Sequence, residues 1–509
     1  MALMVGPEWS QRGIEQRAGR YPLRVEAPIL RAIELLVPGI SSVTRYVRYY
    51  AFYAALGAHS VECGLDSAAS LRLLRRGEVV LAGVSRLNDD PYGRPGMAHA
   101  VDEVRASLDG DVLHVGAAAE MDGDQAYSTR RSGSWDTYLG PSAVLGTAVN
   151  EDGAPRPGRH ACPPEVAALF APLWRESGAD VLDGARLEAL APLAMQAPER
   201  PEVGWMRGLF TATRDGRHDP EEWGPDDRRR RATFRMLGRA VGLHGGDAAH
   251  GWEECVRSAV AFGHEAETDP VLRQVDNVLG WRGLLLRNYS VGAWRRLWAA
   301  LVRSIGSQDG EADRSRDELR AWLADPMPAT SLRACLDELP ATMAGGHPAP
   351  AERQIMQDPD RRDPLVNVKL LLAGGRRAGE LSGEARTTFL GAQHDILNPL
   401  WVSRLIGDFA DRPMRDLAVR LVDDMLAQAR RVALAKTHPD ANGRMKVFSR
   451  VHERGGRYYK TGDEGDGDIG TRLHQAGDIA EQLGILEHRP DDETASLTPL
   501  GAELLEVGE

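Results

Sequence analysis

The tightest constraint on this chain lies in residues 470–509, where four local signals follow one another with no slack between them. Leu473, Ala476, Ile479, Ala480 and Leu483 recur at three- and four-residue steps, which puts one apolar stripe on a helix. Gly484 follows where a left-handed residue stops a helix. The chain then runs Ile485-Leu486-Glu487-His488, meets the turn formers Arg489-Pro490-Asp491-Asp492 and returns through Thr494 to Leu497, which predicts a two-stranded hairpin. Thr498-Pro499 opens a last helix, threonine as its cap and proline in the first turn, where no amide partner is lost.

Helix, hairpin and short helix in this order resemble the end of winged-helix domains. The resemblance implies a module that docks DNA or protein, with the helix before the hairpin entering the major groove and the wing reaching the phosphates, where cations line both. Those cations are scarce here. The helix offers Arg472, Gln475, Asp478, Glu481 and Gln482, and the wing offers Asp491, Asp492 and Glu493, which repel phosphate. A structural or protein-docking role is therefore at least as well supported as DNA reading.

Positive charge sits just upstream. Arg430, Arg431, Lys436, Arg444, Lys446, Arg450, Arg454, Arg457 and Lys460 face only Asp440 and Glu453 between residues 430 and 460. The stretches 446–451 and 457–460 flank Gly455-Gly456, a hairpin signal. Because alternate residues of a ribbon share a face, Lys446 and Arg450 are expected together, with Tyr458 and Tyr459 nearby. Arg444, Lys446, Arg450, Arg454, Arg457, Lys460 and Arg472 are thus the candidate nucleic-acid contacts. The competing reading pairs these bases with the acidic run Asp463-Glu464-Gly465-Asp466-Gly467-Asp468.

Upstream of that region the pattern is mainly helical, which gives a mainly α, multi-domain chain. Helical spacing covers 26–36, 43–58, 165–176, 227–241, 284–305, 331–339, 365–372 and 413–435, whereas 79–84 and 111–115 fit strands or helix ends equally. The glycine- and proline-rich stretch 344–350 is the best linker. The expected division is 1–160, 161–345 and 350–509, the last ending in the module at 470–509. A length of 509 residues suits two or three such domains.

The stretch Pro38-Gly39-Ile40-Ser41-Ser42-Val43-Thr44-Arg45-Tyr46-Val47-Arg48-Tyr49-Tyr50 is the most distinctive short motif. Pro-Gly makes a turn, Ser41 or Ser42 caps the following helix, and that helix carries Arg45, Arg48, Tyr49 and Phe52. It resembles a signature of prokaryotic proteins found in antiphage defence islands, of the form P-G-[IT]-[ST] followed by T-x-x-x-R-Y. The resemblance implies a setting among operon-encoded protein subunits and names no reaction. It makes Arg45, Arg48 and Tyr49 candidate partner contacts, while the plainer reading packs them in a core.

No catalytic, metal-binding or cofactor-binding set emerges from the residues. There is no phosphate-loop motif, and Gly465-Asp466-Gly467-Asp468-Ile469-Gly470 matches GxGxxG without a preceding strand and with aspartates that repel a pyrophosphate. His394-Asp395 and His438-Pro439-Asp440 hold histidines near carboxylates but lack partners at metal-ligand spacing, and the glycine-rich loop from His244 to His250, which could ligate a metal, reads as a solvated connector. The run Arg228-Arg229-Arg230-Arg231 reads as a solvated helix face, and Trp281, Tyr289, Trp294 and Trp298 as core or subunit-interface anchors. The cysteines Cys63, Cys162, Cys255 and Cys335 are scattered and read as small buried residues, which with the absence of an apolar leader or span points to the cytoplasm.

The net charge of −12 argues against a surface coated with nucleic acid. The function expected from the sequence is a non-enzymatic subunit of a multi-protein prokaryotic assembly that binds a partner protein or DNA. A metal-dependent nuclease or other hydrolase, with a site assembled from distant residues, is the alternative.

Overall fold

The computed structural model describes residues 20–88, 98–198, 200–246, 251–306, 313–392, 396–439, 443, 445–489 and 494–508. The fold is mainly α, with strands confined to short hairpins and one three-stranded sheet. Among the described residues no helix is long and apolar enough to cross a membrane. The chain divides into two units, each assembled from two separate stretches: Met1–Leu36 with Val256–Thr471, and Val37–Cys255 with Arg472–Glu509.

The first unit is built on the helix Val278–Ser304, which is buried around nearly its whole circumference, Arg282, Arg287 and Arg296 included. Helices Ala27–Leu36, Pro364–Glu380 and Gly383–Leu390 pack against it. Of the four aromatics expected as anchors, Trp281, Trp294 and Trp298 are buried in the core and Tyr289 is half-buried. Its arginines reach out to neighbouring helical segments: Arg282 donates to Val260 O at 2.8 Å and Arg296 donates to Asn367 Oδ1 at 2.7 Å. A guanidinium suits this role because it stays charged and donates in several directions at once. The stretch 344–350 lies inside this unit as a two-residue turn between Met343–Ala344 and His347–Pro348. Buried Arg377 holds its flanks, donating to Thr342 O at 2.7 Å and to Ala349 O, and pairs with buried Glu352 at 2.6 Å.

The second unit is organised by the helix Val47–Glu62, whose Tyr49, Tyr50, Phe52 and Tyr53 are fully buried. It packs against helices Pro164–Glu176 and Glu202–Thr211 and against the hairpin Ala148–Glu151 with Ala154–Pro157. The run 79–84 is neither a strand nor a helix end; it is interior to the helix Ser67–Leu87, which Asp66 caps by accepting from Ala69 N at 2.7 Å. The run 111–115 holds a two-residue strand, Val112–Leu113, paired with Leu108–Asp109.

The C-terminal elements follow the expected order. Helix Leu473–Gln482 ends at Gly484 (φ 71°), strand Leu486–Arg489 pairs antiparallel with Thr494–Leu497, and Thr498 caps Pro499–Leu505 by accepting from Gly501 N at 2.9 Å. The wing-tip residues Asp491, Asp492 and Glu493 lie outside the described residues. Helix Pro225–His244 runs beneath this module and fastens its end: Arg231 donates to Leu504 O at 3.1 Å and Arg235 to Leu505 O at 2.9 Å. The arginine run is therefore not a solvated face, since Arg230 and Arg231 are buried and hold backbone carbonyls.

Candidate functional site

The C-terminal helix that would read a groove is committed to packing. Gly477 lies flat against Trp252, where a Cβ would stand 2.3 Å from the indole Cδ1. Gln482 accepts from Val47 N at 3.0 Å and donates to Arg45 O at 2.7 Å, so its amide caps the helix Val47–Glu62 from far along the chain. Arg472, at the other end, donates to Ile40 O at 2.8 Å. Within Leu473–Gln482 only His474 and Glu481 are exposed. The two most distinctive sequence motifs, residues 38–50 and the C-terminal module, thus form one packed assembly, and their polar groups are used on each other.

The same holds for most of the N-terminal motif. Arg48 is buried, paired with buried Glu202 at 2.7 Å, and donates to Pro192 O at 3.0 Å. Tyr49 is buried, its hydroxyl accepting from His99 N at 2.9 Å. Neither side chain presents a surface, because both are spent on internal partners; Arg45 remains exposed. Ser41 does not cap the helix, which begins only at Val47. Its amide and hydroxyl close a turn on Thr44 Oγ1 at 3.0 and 3.1 Å, and Tyr50 pins that turn by donating to Gly39 O at 2.9 Å.

The basic hairpin forms with the expected turn: Val451–Arg454 pairs with Arg457–Lys460 across Gly455 and Gly456, both at positive φ. Its first strand starts at Val451, however, and Lys446 belongs to a different hairpin, opposite His438. Lys446 and Arg450 therefore do not alternate on one ribbon. Arg457 pairs with Glu318 at 3.4 Å, Lys460 with Asp463 at 2.9 Å and Arg450 with Glu464 at 3.3 Å. Lys446 is half-buried, Arg454 is exposed, and Arg444 lies outside the described residues.

The GxGxxG stretch is part of an acidic strap along the long helix of its unit. Asp466 pairs with Arg303 at 3.2 Å, Asp468 pairs with Arg296, and Gly467 O accepts from Arg295 at 2.7 Å. Its carboxylates neutralise buried Arg296 and exposed Arg303, which leaves no anion-binding role. Among the described residues no three His, Cys, Asp or Glu side chains converge as a metal ion would require. His394, Asp395, Asp440 and the loop 247–250 lie outside the described residues, and His438 is exposed. Cys255 and Cys335 are buried as expected, whereas Cys63 is exposed and Cys162 half-buried.

Two features escaped the sequence reading. The first is Glu78, which receives Tyr53 Oη at 2.6 Å, Tyr127 Oη at 2.6 Å and Ser134 N at 2.9 Å in the core of the second unit. Burial outweighs these donors and nearby Arg75, pushing its pKa up to about 7. Neighbouring His99, wedged between Tyr49 and Tyr138, is pushed down to about 4 by the same desolvation and stays neutral. The available signal was a carboxylate set directly before Val79-Val80-Leu81. The second is a cleft of about 280 Å³ in the first unit, into whose wall Arg450 and Glu464 turn. Its residues are far apart along the chain, so no spacing announces it.

Comparison with family models, with curated proteins and with solved structures finds no match for this chain.

Proposed function

We propose that this chain is a non-enzymatic subunit of a multi-protein prokaryotic assembly, in which the C-terminal module, winged-helix-like in its order of elements, meets protein and not DNA. The resemblance of residues 38–50 to proteins of antiphage defence islands supplies the setting. The observation that carries the preference for protein is the commitment of helix Leu473–Gln482, which leaves only His474 and Glu481 exposed and offers no lysine or arginine to a groove. The hairpin adds to it, because Arg450, Arg457 and Lys460 are already paired with carboxylates. Duplex binding would require breaking those pairs, and a contact resting on Lys446 and Arg454 releases few counterions.

A mobility-shift titration with duplex DNA, run alongside purification with the products of the neighbouring genes, tests this. The expected outcome is weak retention at low ionic strength that vanishes on adding salt, together with stable recovery of at least one neighbouring protein. Salt-resistant duplex binding abolished by Lys446→Ala with Arg454→Ala would overturn the preference for protein. Recovery of no neighbouring protein would overturn the assembly itself.

A further inference from the structure

In the first unit, the segment that leads into helix Ala27–Leu36 lies beside the long helix Val278–Ser304, and a cleft of about 280 Å³ opens between Glu26, Arg295, Trp298, Arg450 and Glu464, with Arg20 also on its wall. The volume is at the lower edge of small-molecule pockets, roughly 300–1,000 Å³, and suits a small occupant.

The polar groups of this wall are incompletely used. Glu26 is 2% exposed; its Oε1 accepts from Arg295 Nη1 at 3.0 Å, while its Oε2 is buried without a hydrogen-bond partner. A carboxylate oxygen held out of water with no donor is costly, and a native fold keeps such a group where something else can satisfy it. Trp298, also 2% exposed, has its Nε1–H beside the Glu464 carboxylate without a well-formed hydrogen bond. The cations are placed differently: Arg450 is bonded to Glu464 and to Asp463 O, Arg295 is tied to Glu26 and to Gly467 O, and Arg20 is exposed. The cleft therefore offers a buried acceptor that lacks a donor, indole beside it, and the Arg20 guanidinium nearer water.

We propose that this cleft binds a small zwitterion, with its ammonium on Glu26 and its carboxylate or phosphate on Arg20. A lone cation would leave Arg20 unused, and a lone anion would leave Glu26 unsatisfied. The site is contained in the first unit and does not rest on the reading of the C-terminal module, which belongs to the second.

Calorimetric titration of the full chain tests it with four kinds of probe: α-amino acids, phosphoethanolamine, putrescine as a cation without an anion, and inorganic phosphate as an anion without a cation. At least one zwitterion should bind, with the amino-acid and aminophosphate arms telling the two sources of the anion apart. Putrescine and phosphate should bind at least tenfold more weakly. Glu26→Gln keeps an oxygen for Arg295 but loses the charge, and should weaken the zwitterion about ten- to hundredfold, as expected for a charge-assisted hydrogen bond. Arg20→Ala, at an exposed position, gives a second reading that does not disturb the core. Failure of every zwitterion to bind at millimolar concentration, binding indifferent to both substitutions, or putrescine or phosphate binding as tightly as the zwitterion would each overturn the assignment.

Discussion

Glu78 shows how a single carboxylate can set the pH response of a core. Its pKa rises from the ordinary 4.5 to about 7, chiefly because burial penalises the charged form. Between those values the unfolded chain has lost a proton that the folded protein still holds, so stability falls as pH rises through this window and is fullest below it. The loss attributable to this residue is roughly 3 kcal/mol. Glu78→Gln fills the same space without the titration, and Tyr53, whose hydroxyl rotates freely, turns to accept from the new amide. The variant should therefore show a flatter urea-midpoint profile between pH 4.5 and 7 than the parent protein. A profile as steep as the parent's would place the titration elsewhere. Arginine poses the opposite problem of legibility. In Arg228-Arg229-Arg230-Arg231, helical phase puts neighbours on different faces, and the buried pair is distinguishable only once their carbonyl partners, Leu209 O and Thr211 O, are known.

At the level of elements, local signals were read well and their partners were not. Helix Pro164–Glu176 and the order helix, hairpin, capped helix at the C-terminus follow from periodicity, proline and glycine, because those signals act within a few residues. The start of helix Val47–Glu62 does not, because the acceptor for Val47 N is Gln482, 435 residues away. A sequence reading places the cap on a nearby serine, and the fold places it on another helix. This long-range cap predicts a measurable cost. Gln482→Ala removes the acceptor and the donor to Arg45 O together, and should lower stability by about 1 kcal/mol or slightly more, the usual worth of an N-cap. Gln475→Ala, on the same helix and outside the cap, should change it little. Equal effects of the two substitutions in denaturant titrations would mean that the cap contributes nothing. The candidate contacts show the same limit: Arg450, Arg457 and Lys460 look free along the sequence and are paired in the fold.

For the whole molecule, the consequence is that each unit is closed by a segment distant in sequence. The second unit gains Leu473, Ile479, Leu483, Ile485, Leu486 and Leu505 as fully buried side chains from its C-terminal stretch. At about 1.5–3 kcal/mol each, their burial is on the order of 10 kcal/mol, comparable with the entire net stability of an ordinary domain. Removing residues 472–509 would also leave buried Arg231 without Leu504 O and expose Trp252 where Gly477 covers it. The first unit, whose second stretch ends at Thr471, loses none of its own residues by this cut. A chain truncated after Thr471 should therefore lose hydrogen-exchange protection throughout residues 37–255 while keeping it in residues 256–471. Retained protection in helix Pro225–His244 would show that this helix does not need the module packed on it. Loss of protection across both stretches alike would show that the two units unfold as one.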